Sequence, residues 1–483
     1  MAEWQSTVTA PALARLLTTT PPTGQRTAYR RLAVQLRGLV AEGRLPVGTR
    51  LPAERELAQA LTLSRTTVAT AYEALRTDGY LHSRRGSGSW TALPEGSRPP
   101  GDALHPVPPD EAEHTIDLGV AALPAPQPFL GEAAARAVEQ LPTYATGHGH
   151  YPTGVPVLRE AVARRFTERG LPTTPDQILI TTGAMGALNL AQRALLGRGD
   201  RVAVEAPGYA HTLRLLQREG ARLVPVPFAR PGGDAALPYW DTEEWRRVLR
   251  GASPRAAFVV PDFHNPTGAL IDEEQRRALL AAARVSGTVV VVDETPAELD
   301  WGTDAVPPPT AALDRTAQVV TIGSAGKILW GGLRVGWLRA QPSLVRRLAA
   351  ERVFTDVGTP VLDQLIAAHL LDHALPEVRA HQHRRMRATA HALAEALQQQ
   401  LPAWQFALPP GGLCLWVATD GLASSSLAKS ADPLGLRLAA GSRFATDGTF
   451  EPYLRLPLTV PPQAAATAIA RLAAAAAAAG QAR

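Results

Sequence analysis

The sequence predicts two domains of different fold class: a small N-terminal α+β domain with a helix-turn-helix, and a large α/β domain built on a mainly parallel sheet. Three observations lead to this prediction. Positive charge is concentrated at the N-terminus, a Pro- and Gly-rich stretch follows residue 92, and short β-rich runs then alternate with helix-length segments.

Composition limits the class of protein. The chain has 483 residues, 45% of them hydrophobic, and this fraction excludes an intrinsically disordered protein. A single cysteine excludes a disulfide scaffold and a cysteine-based zinc site. No apolar run reaches the ~20 residues that a membrane helix needs, so we expect a soluble, cytoplasmic protein with no membrane contact.

The first 92 residues carry the excess positive charge. They hold 12 arginines and six acidic residues, a net charge of +6, whereas the whole chain sums to +5. A polyanionic partner is therefore expected at this end only. Residues 1–26 are expected to be loose, and residues 27–92 to form the domain.

The head has the pattern of a helix-turn-helix. Apolar spacing predicts helices over Ala28–Glu42 and Glu54–Leu61, and Ser64 is placed to cap a third helix, Arg65–Thr77. The second helix of such a pair enters the major groove of DNA by its N-terminal residues. Those residues here are Arg65, Thr66 and Thr67.

A basic hairpin, Gly79–Trp90, follows the third helix. The head resembles the GntR-type winged-helix domain, through the runs G-T-R-L-P-A-E-R-E-L-A, L-S-R-T-T-V, A-Y-E-A-L-R-T-D-G-Y-L and R-R-G-S-G-S. The resemblance implies a double-stranded DNA operator as partner. It places the DNA contacts at Arg50, Arg55, Ser64, Arg65, Thr66, Thr67 and Gly86.

A Pro-rich linker is predicted over residues 93–114, since eight prolines and glycines fall within Pro94–Pro109. The remaining residues, 115–483, form the α/β domain. Five runs are predicted as strands: Ile178–Thr181, Arg201–Val204, Ala256–Val260, Thr288–Val292 and Gln318–Ile322. Ligands of such sheets bind beyond the carboxyl ends of the strands.

Lys327, one of only two lysines, follows the last of these strands through a Gly/Ser turn and precedes Arg334 by seven residues. A buried lysine beside a cation has a lowered pKa and is a nucleophilic amine that can form a Schiff base. Ser324 and Arg334 are suited to hold an adjacent phosphate. A lysine in a Gly/Ser turn is weak support alone, because on that observation a surface lysine is the more common explanation.

Other strand ends strengthen this interpretation. The Gly-rich turn Thr182–Leu188 opens a helix and offers backbone N–H groups to a phosphate. Asp293 ends a strand, where a buried carboxylate can pair with a cationic ring nitrogen. Asn265 offers an amide donor and Tyr209 a flat face for stacking, while Arg455 is suited to bind a carboxylate.

Residues 115–480 resemble the fold-type I pyridoxal 5'-phosphate (PLP) enzymes of the aspartate aminotransferase class, and with the head the chain resembles a MocR-type transcriptional regulator. The resemblance implies a fold-type I domain with a smaller C-terminal α/β subdomain, a head-to-tail homodimer, and an aldimine at Lys327. It places the other cofactor contacts at Ala184, Met185, Tyr209, Asn265, Asp293, Ser324 and Arg334, and a ligand carboxylate at Arg455.

The sequence departs from the family pattern at several positions. Thr295 stands where a tyrosine is usual, Gly326 where serine is commoner, and Cys414 where a histidine is usual. The position that normally supplies a tyrosine to the partner subunit falls near Gly149. Tyr144 and Tyr151 are possible substitutes. These changes lower the expectation of efficient transamination.

We therefore predict a PLP-dependent regulator that senses PLP, a small amino compound, or both, at Lys327. Two alternatives stay open: an active aminotransferase that carries a DNA-binding head, and a sensor that has lost its cofactor. The complete set of cofactor residues argues against the last. Scattered histidines, such as His148, His150, His373, His381 and His383, are interpreted as solvated side chains, and no metal site is predicted.

Overall fold

The structure is a computed structural model that describes residues 6–17, 25–41, 45, 47–84, 88–94, 114–229, 238–301, 308–313, 318–446 and 449–481. The chain forms two compact units, Met1–Pro106 and Val107–Arg483. Among the described residues, no helix is both long and apolar enough to span a membrane.

The head contains the predicted helix-turn-helix. Its helices are α1 (Ala10–Leu16), α2 (Gln25–Ala41), α3 (Glu54–Leu61) and α4 (Arg65–Thr77). After α3 the chain turns at Thr62, whose φ of 56° is left-handed. The Ser64 hydroxyl then accepts a hydrogen bond from the Thr67 N–H at 3.1 Å, which satisfies one of the free amides in the first turn of α4.

The expectation that residues 1–26 are loose is wrong for residues 6–17. Leu13, on α1, and Leu17, the residue directly after α1, are both buried in the core of the head. Ser6–Thr7 (β1) also pairs in parallel with Thr49–Arg50 (β2). The apolar spacing is short and Pro11 interrupts it, so its helical period is not apparent in the sequence.

The predicted hairpin forms two strands of a four-stranded sheet. β3 (Leu81–Arg84) pairs antiparallel with β4 (Gly88–Thr91), and the strand order is β1-β2-β4-β3. Gly86, at the tip of the hairpin, lies outside the described residues, as does most of the predicted linker (95–113).

The second unit is built on a seven-stranded sheet of order β6-β12-β11-β10-β9-β7-β8. Its strands are β6 (Ile178–Thr182), β7 (Arg201–Ala206), β8 (Arg222–Pro227), β9 (Ala256–Val259), β10 (Val289–Asp293), β11 (Val319–Ser324) and β12 (Val335–Arg339). All five predicted strands are present, with ends that shift by at most two residues. The strand β12, which the sequence analysis missed, is antiparallel to both of its neighbours.

Both faces of this sheet are covered by helices, and its central strands are consequently apolar on both sides. Val289 and Val291 of β10 face one hydrophobic core, while Val290 and Val292 face another. The helices of this unit are α5 (Phe129–Tyr144), α6 (Pro156–Glu168), α7 (Gly183–Leu195), α8 (Ala210–Arg218), α9 (Thr242–Ala252), α10 (Glu273–Ser286), α11 (Pro342–Arg352), α12 (Val361–His373), α13 (Leu375–Gln400), α14 (Ser424–Ala431) and α15 (Ala465–Gln481). Side chains of α7 and α11 fill the first core, and those of α9 and α10 the second.

A smaller four-stranded sheet forms the predicted C-terminal α/β part. Its strands, in spatial order, are β13 (Cys414–Ala418), β15 (Tyr453–Pro457), β14 (Leu436–Ala440) and β5 (Ile116–Leu118). β5, the first strand of the second unit, therefore belongs to this small sheet, where it pairs in parallel with β14.

Candidate functional site

A cavity of about 670 Å³, which includes space open to solvent, lies beyond the carboxyl ends of the parallel strands. We call it the strand-end cavity. Six of the predicted cofactor residues line it: Ala184, Met185, Tyr209, Asn265, Asp293 and Lys327. Other parts of its wall come from Thr212, Phe263, Thr295, Leu413 and Cys414.

Lys327 lies in a π-helical turn, Gly326–Trp330, that begins two residues after β11. Its Nζ donates a hydrogen bond to the Ala121 carbonyl at 2.8 Å. Burial lowers the pKa of Lys327, and the nearby charge of Arg455 lowers it further, against opposing effects of Cys414 and Asp293. A larger fraction of the amine is therefore neutral and nucleophilic than for an exposed lysine.

Asp293 is the last residue of β10, and burial raises the pKa of its carboxyl group. The N–H of Thr295 donates to Asp293 Oδ1 at 2.9 Å, and this bond and the charge of Lys327 partly oppose that effect. A buried carboxylate with a raised pKa is stabilised by a cationic partner. The site is thus chemically suited to a protonated ring nitrogen.

Tyr209 and Asn265 lie on two different loops at the same end of the sheet. Burial raises the pKa of Tyr209 to about 12, so its phenol stays neutral, and its hydroxyl lies 2.9 Å from His211 Nδ1. The Cys414 thiol donates to Asn265 Oδ1 at 3.7 Å. Because the oxygen of this amide is occupied, its Nδ2 is the group left to donate into the cavity.

The N-terminus of α7 forms an anion cradle with Arg334. Gly183 begins the helix with a φ of 72°, and a Cβ added there would lie 3.1 Å from Arg334 Nη2. A Cβ on Gly336 would lie 2.5 Å from the Gly183 carbonyl carbon. Only glycine at these two positions lets the guanidinium and the strand approach the free N–H groups of the first turn.

Ser324, predicted as a phosphate contact, does not line the strand-end cavity. Its hydroxyl accepts from the Gly326 N–H at 2.9 Å and lies 3.3 Å from the Val335 carbonyl oxygen. The side chain lines a second cavity, bounded by α6 and the residues after β10, rather than the strand-end cavity.

Arg455, on β15, is 2% exposed, and its charge reaches Lys327 and Tyr209. Its Nη2 donates to the Gly119 carbonyl, and its guanidinium carbon lies 5.2 Å from the ring centre of Phe444. The Nε has no hydrogen-bond partner among the described residues. An acceptor such as a carboxylate would satisfy this buried donor.

In the head, the predicted DNA contacts divide into two groups. Arg50, Arg55 and Thr66 are exposed, and the side chain of Arg65 is 74% exposed with its Nε 3.7 Å from Glu54. Thr67, by contrast, is buried, and its hydroxyl lies 2.8 Å from Ser64 Oγ. Its hydroxyl is thus part of the helix cap and is not presented to a DNA groove.

The family of class I and II aminotransferases matches residues 113–472, and the gntR family of bacterial regulatory proteins matches residues 28–90. The probable rhizopine catabolism regulatory protein MocR of Rhizobium meliloti is 31% identical over 364 residues, 68% of each chain. The chain belongs to the MocR-type regulators.

Two aminotransferases are similar to the body of this MocR-type chain. The 2-aminoadipate transaminase of Thermus thermophilus is 31% identical over 343 residues, which cover 69% of this chain and 83% of that protein. The crystal structure of the α-aminoadipate aminotransferase LysN from the same species, in complex with N-(5'-phosphopyridoxyl)-L-leucine, superimposes with a TM-score of 0.69. It shares 29% identity and covers 77% of this chain and 95% of that one.

The predicted architecture is therefore confirmed: a GntR winged-helix head joined to a fold-type I aminotransferase domain, in a PLP-dependent transcriptional regulator. The residues of the MocR-type chain fit PLP chemically. The free N–H groups at Gly183 and the Arg334 guanidinium suit its phosphate, Asp293 suits its ring nitrogen, and Lys327 suits its aldehyde.

The structure also shows where the MocR-type chain departs from its family. Thr295 lines both the strand-end cavity and the second cavity, so its small side chain separates two spaces that a tyrosine would restrict. A Cβ at Gly326 would lie 3.1 Å from Ser324 Oγ, which makes glycine the easier fit there. Tyr144 and Tyr151 form an edge-to-face pair with ring centres 5.9 Å apart.

Two features of the site were missed by sequence reasoning. The segment Gly119–Ala121 accepts hydrogen bonds from both Arg455 and Lys327, but it does so through backbone carbonyls, which leave no sequence pattern. Phe263 lines the strand-end cavity with a φ of 42°. The consecutive glycines 411 and 412 are a signal that could have indicated it, because a Cβ on either would lie within 3 Å of Phe263.

Proposed function

We propose that this regulator binds operator DNA through its head and responds to a small amino compound with a carboxylate, which binds in the strand-end cavity. The observation that carries this proposal is that Lys327 and Arg455 are hydrogen-bonded to the same short segment of backbone. Lys327 Nζ and Arg455 Nη2 both donate to carbonyls of Gly119–Ala121. An amino acid offers a carboxylate to Arg455, and its amine can replace the Lys327 amine at the cofactor's aldehyde.

Each cofactor residue has a separate task in this proposal. PLP, when bound, supplies an aldehyde that reacts with amines and a ring that withdraws electrons. Asp293 would hold the proton of the ring nitrogen, and Asn265 Nδ2 would donate a hydrogen bond to the phenolate oxygen. Tyr209 would offer its ring to the cofactor, and the start of α7 with Arg334 would bind the phosphate.

Ligand binding is coupled to the chain through Gly119–Ala121. A ligand carboxylate would compete with the Gly119 carbonyl for Arg455 Nη2, and the cofactor aldehyde would compete with the Ala121 carbonyl for the Lys327 amine. Both carbonyls belong to the segment that directly follows β5. β5 in turn is the first strand after the stretch that leads to the head. The ligand must bind one conformation better than the other, and such coupling is typically worth ~1–3 kcal/mol.

The functional unit we propose is a head-to-tail homodimer, whose two heads read the two halves of an operator. Exposed apolar side chains after α11 support a self-interface: Val353 is 60% exposed and Phe354 is 74% exposed. Arg50, Arg55, Arg65 and Thr66 are the proposed DNA contacts, with Ser64 as the cap of the reading helix. Because the partner is genomic DNA, we propose a cytoplasmic location.

The test compares operator binding by the PLP-loaded wild type and by Lys327→Ala, with and without amino acids, in an electrophoretic shift assay. We expect the variant to bind DNA as the wild type does but to lose the response to amino acids. A variant that still responds would refute the role of Lys327, because the ligand would then act elsewhere.

An active aminotransferase is the second candidate function. It is favoured by the similarity of the body to the 2-aminoadipate transaminase and by the set of groups around the strand-end cavity. The two functions are separated by product analysis. Release of 2-oxo acid over many turnovers, in an amount equal to the amino acid consumed, supports the enzyme. A spectral change without product supports the sensor.

A further inference from the structure

A buried acid and a buried imidazole, which none of the proposed roles uses, lie behind the strand-end cavity. Glu205, at the end of β7, is 3% exposed and accepts the Val260 N–H with both oxygens at 3.1 Å. Its Oε2 lies 3.2 Å from Nε2 of His264, whose side chain is fully buried. Both partners of Glu205 belong to the loop that follows β9.

The other side of the imidazole is also held. His264 Nδ1 lies 2.8 Å from Thr267 Oγ1, and Thr267 Oγ1 accepts from the Ala269 N–H. If the Thr267 hydroxyl donates to Nδ1, the proton of the neutral ring lies on Nε2, the atom 3.2 Å from Glu205 Oε2, although this contact lacks the angle of a hydrogen bond. One chain of contacts thus runs from Glu205 through His264 to Thr267.

These contacts join the two loops that carry cofactor groups. Glu205 precedes Tyr209 by four residues, and His264 directly precedes Asn265. We propose that Glu205 and His264 are positioning residues that fix the distance between these loops. They thereby keep the ring of Tyr209 and the amide of Asn265 at a fixed separation across the cavity. The inference rests on the proposed function, since it assigns these two groups to the cofactor.

Backbone strain in the same loop supports a positioning role. Phe263, between Asp262 and His264, has a φ of 42°, a conformation that is strained for a non-glycine residue. Both of its neighbours are tied by buried contacts. Asp262 Oδ1 lies 2.7 Å from Arg276 Nη2 on its side, and His264 contacts Glu205 on the other. The loop is thus held from both sides in a shape that it would not adopt alone.

Energetics argue that stability is not the main effect of the pair. Buried ion pairs often contribute no more than apolar residues of the same volume, because desolvation offsets their attraction. Burial raises the pKa of Glu205, and His264 opposes this effect. The titratable groups that face Glu205 are His264, from the loop after β9, and Asp293, from β10.

The single cysteine provides a readout that needs no cofactor. Cys414 is 3% exposed and donates to Asn265 Oδ1, so its reactivity reports on the position of the Asn265 loop. In the cofactor-free full-length chain, we expect Glu205→Gln to raise the rate of Cys414 alkylation by iodoacetamide about tenfold. In the PLP-loaded chain, the same variant should weaken PLP binding about tenfold, which corresponds to about 1.4 kcal/mol.

Matched variants separate positioning from general stability. Glu298→Gln removes another partly buried carboxylate, which Arg165 contacts with two hydrogen bonds of 3.0 Å, away from the Tyr209 and Asn265 loops. It should leave both the alkylation rate and PLP affinity within twofold of wild type. Thr267→Val should reproduce the effect of Glu205→Gln in weaker form, and Thr267→Ser should restore wild-type values.

The inference is overturned if Glu205→Gln and Glu298→Gln lower the melting temperature alike while alkylation and PLP affinity stay unchanged. If Glu205→Gln does not fold, the Thr267 pair decides by the same two readouts. A wild type that fails to bind PLP would refute the proposed function instead. The alkylation rates of the cofactor-free chain would still decide between positioning and structure.

Discussion

Arg455→Lys is the most informative change in the ligand site, because it keeps the positive charge and removes the two-pronged geometry of the guanidinium. In the free chain, the Nη2 of Arg455 donates to the Gly119 carbonyl while its Nε has no partner among the described residues. A ligand carboxylate can replace the Gly119 carbonyl as the acceptor at Nη2, so the number of hydrogen bonds there stays the same. At Nε the carboxylate makes a new hydrogen bond to a buried donor.

The expected loss therefore corresponds to about one charge-assisted hydrogen bond, which is worth ~1.5–3 kcal/mol when buried. This free energy is equivalent to a factor of about 10 to 150 in the dissociation constant. The affinity for PLP should change much less, because Arg455 is not one of the proposed PLP contacts.

The assay is a spectral titration of the PLP-loaded chain with amino acids and with the corresponding amines that lack the carboxylate. Wild type should prefer each amino acid over its amine, and Arg455→Lys should lose most of that preference without a change in amine affinity. Equal binding of amine and amino acid by the wild type would refute the reasoning, since Arg455 would then bind no carboxylate.

Three further outcomes are expected. Burial lowers the pKa of Lys327, so the folded chain binds this proton less tightly than the unfolded chain does. Lys327→Met should therefore stabilise the cofactor-free chain at pH 7. In denaturant titrations this gain in the free energy of unfolding should shrink as the pH rises toward 10.5. Gly183→Ala and Gly199→Ala both add a Cβ at positive φ and should each cost about 1 kcal/mol, but only the first approaches Arg334 and should weaken PLP binding more than tenfold in cofactor titrations. Ser64→Ala should destabilise its helix by about 1 kcal/mol, measured by hydrogen exchange of that helix, and faster exchange elsewhere would point to global unfolding instead.

The parts of the fold that follow from local pattern were predictable from the sequence. The run of valines at 289–292 is apolar on both faces, which indicates a buried parallel strand, and the structure has β10 there. By contrast, β12 follows two glycines and a left-handed Arg334, and its antiparallel place in the sheet depends on contacts with β6 and β11. No local pattern contains that information.

The residues of the site that could be predicted from the sequence are those whose reactive side chains follow the ends of strands. Asn265, Asp293 and Lys327 meet in one cavity because the ends of parallel strands converge. The hydrogen bonds that side chains make within the protein could not be predicted from the sequence. Ser324 is engaged with the backbone near its own strand, and the hydroxyl of Thr67 is part of a helix cap.

The pairing of β5 with β14 has a consequence for the order in which the protein is made. Ile116 pairs with Leu436, which is synthesised 320 residues later, so the small sheet closes only when most of the chain has left the ribosome. All strand pairings of the head, by contrast, lie within its first 91 residues. At ~5–20 residues per second, the head is complete roughly 20 to 70 seconds before β15 emerges. For that interval a nascent molecule has its winged-helix head but does not yet have a closed aminotransferase domain.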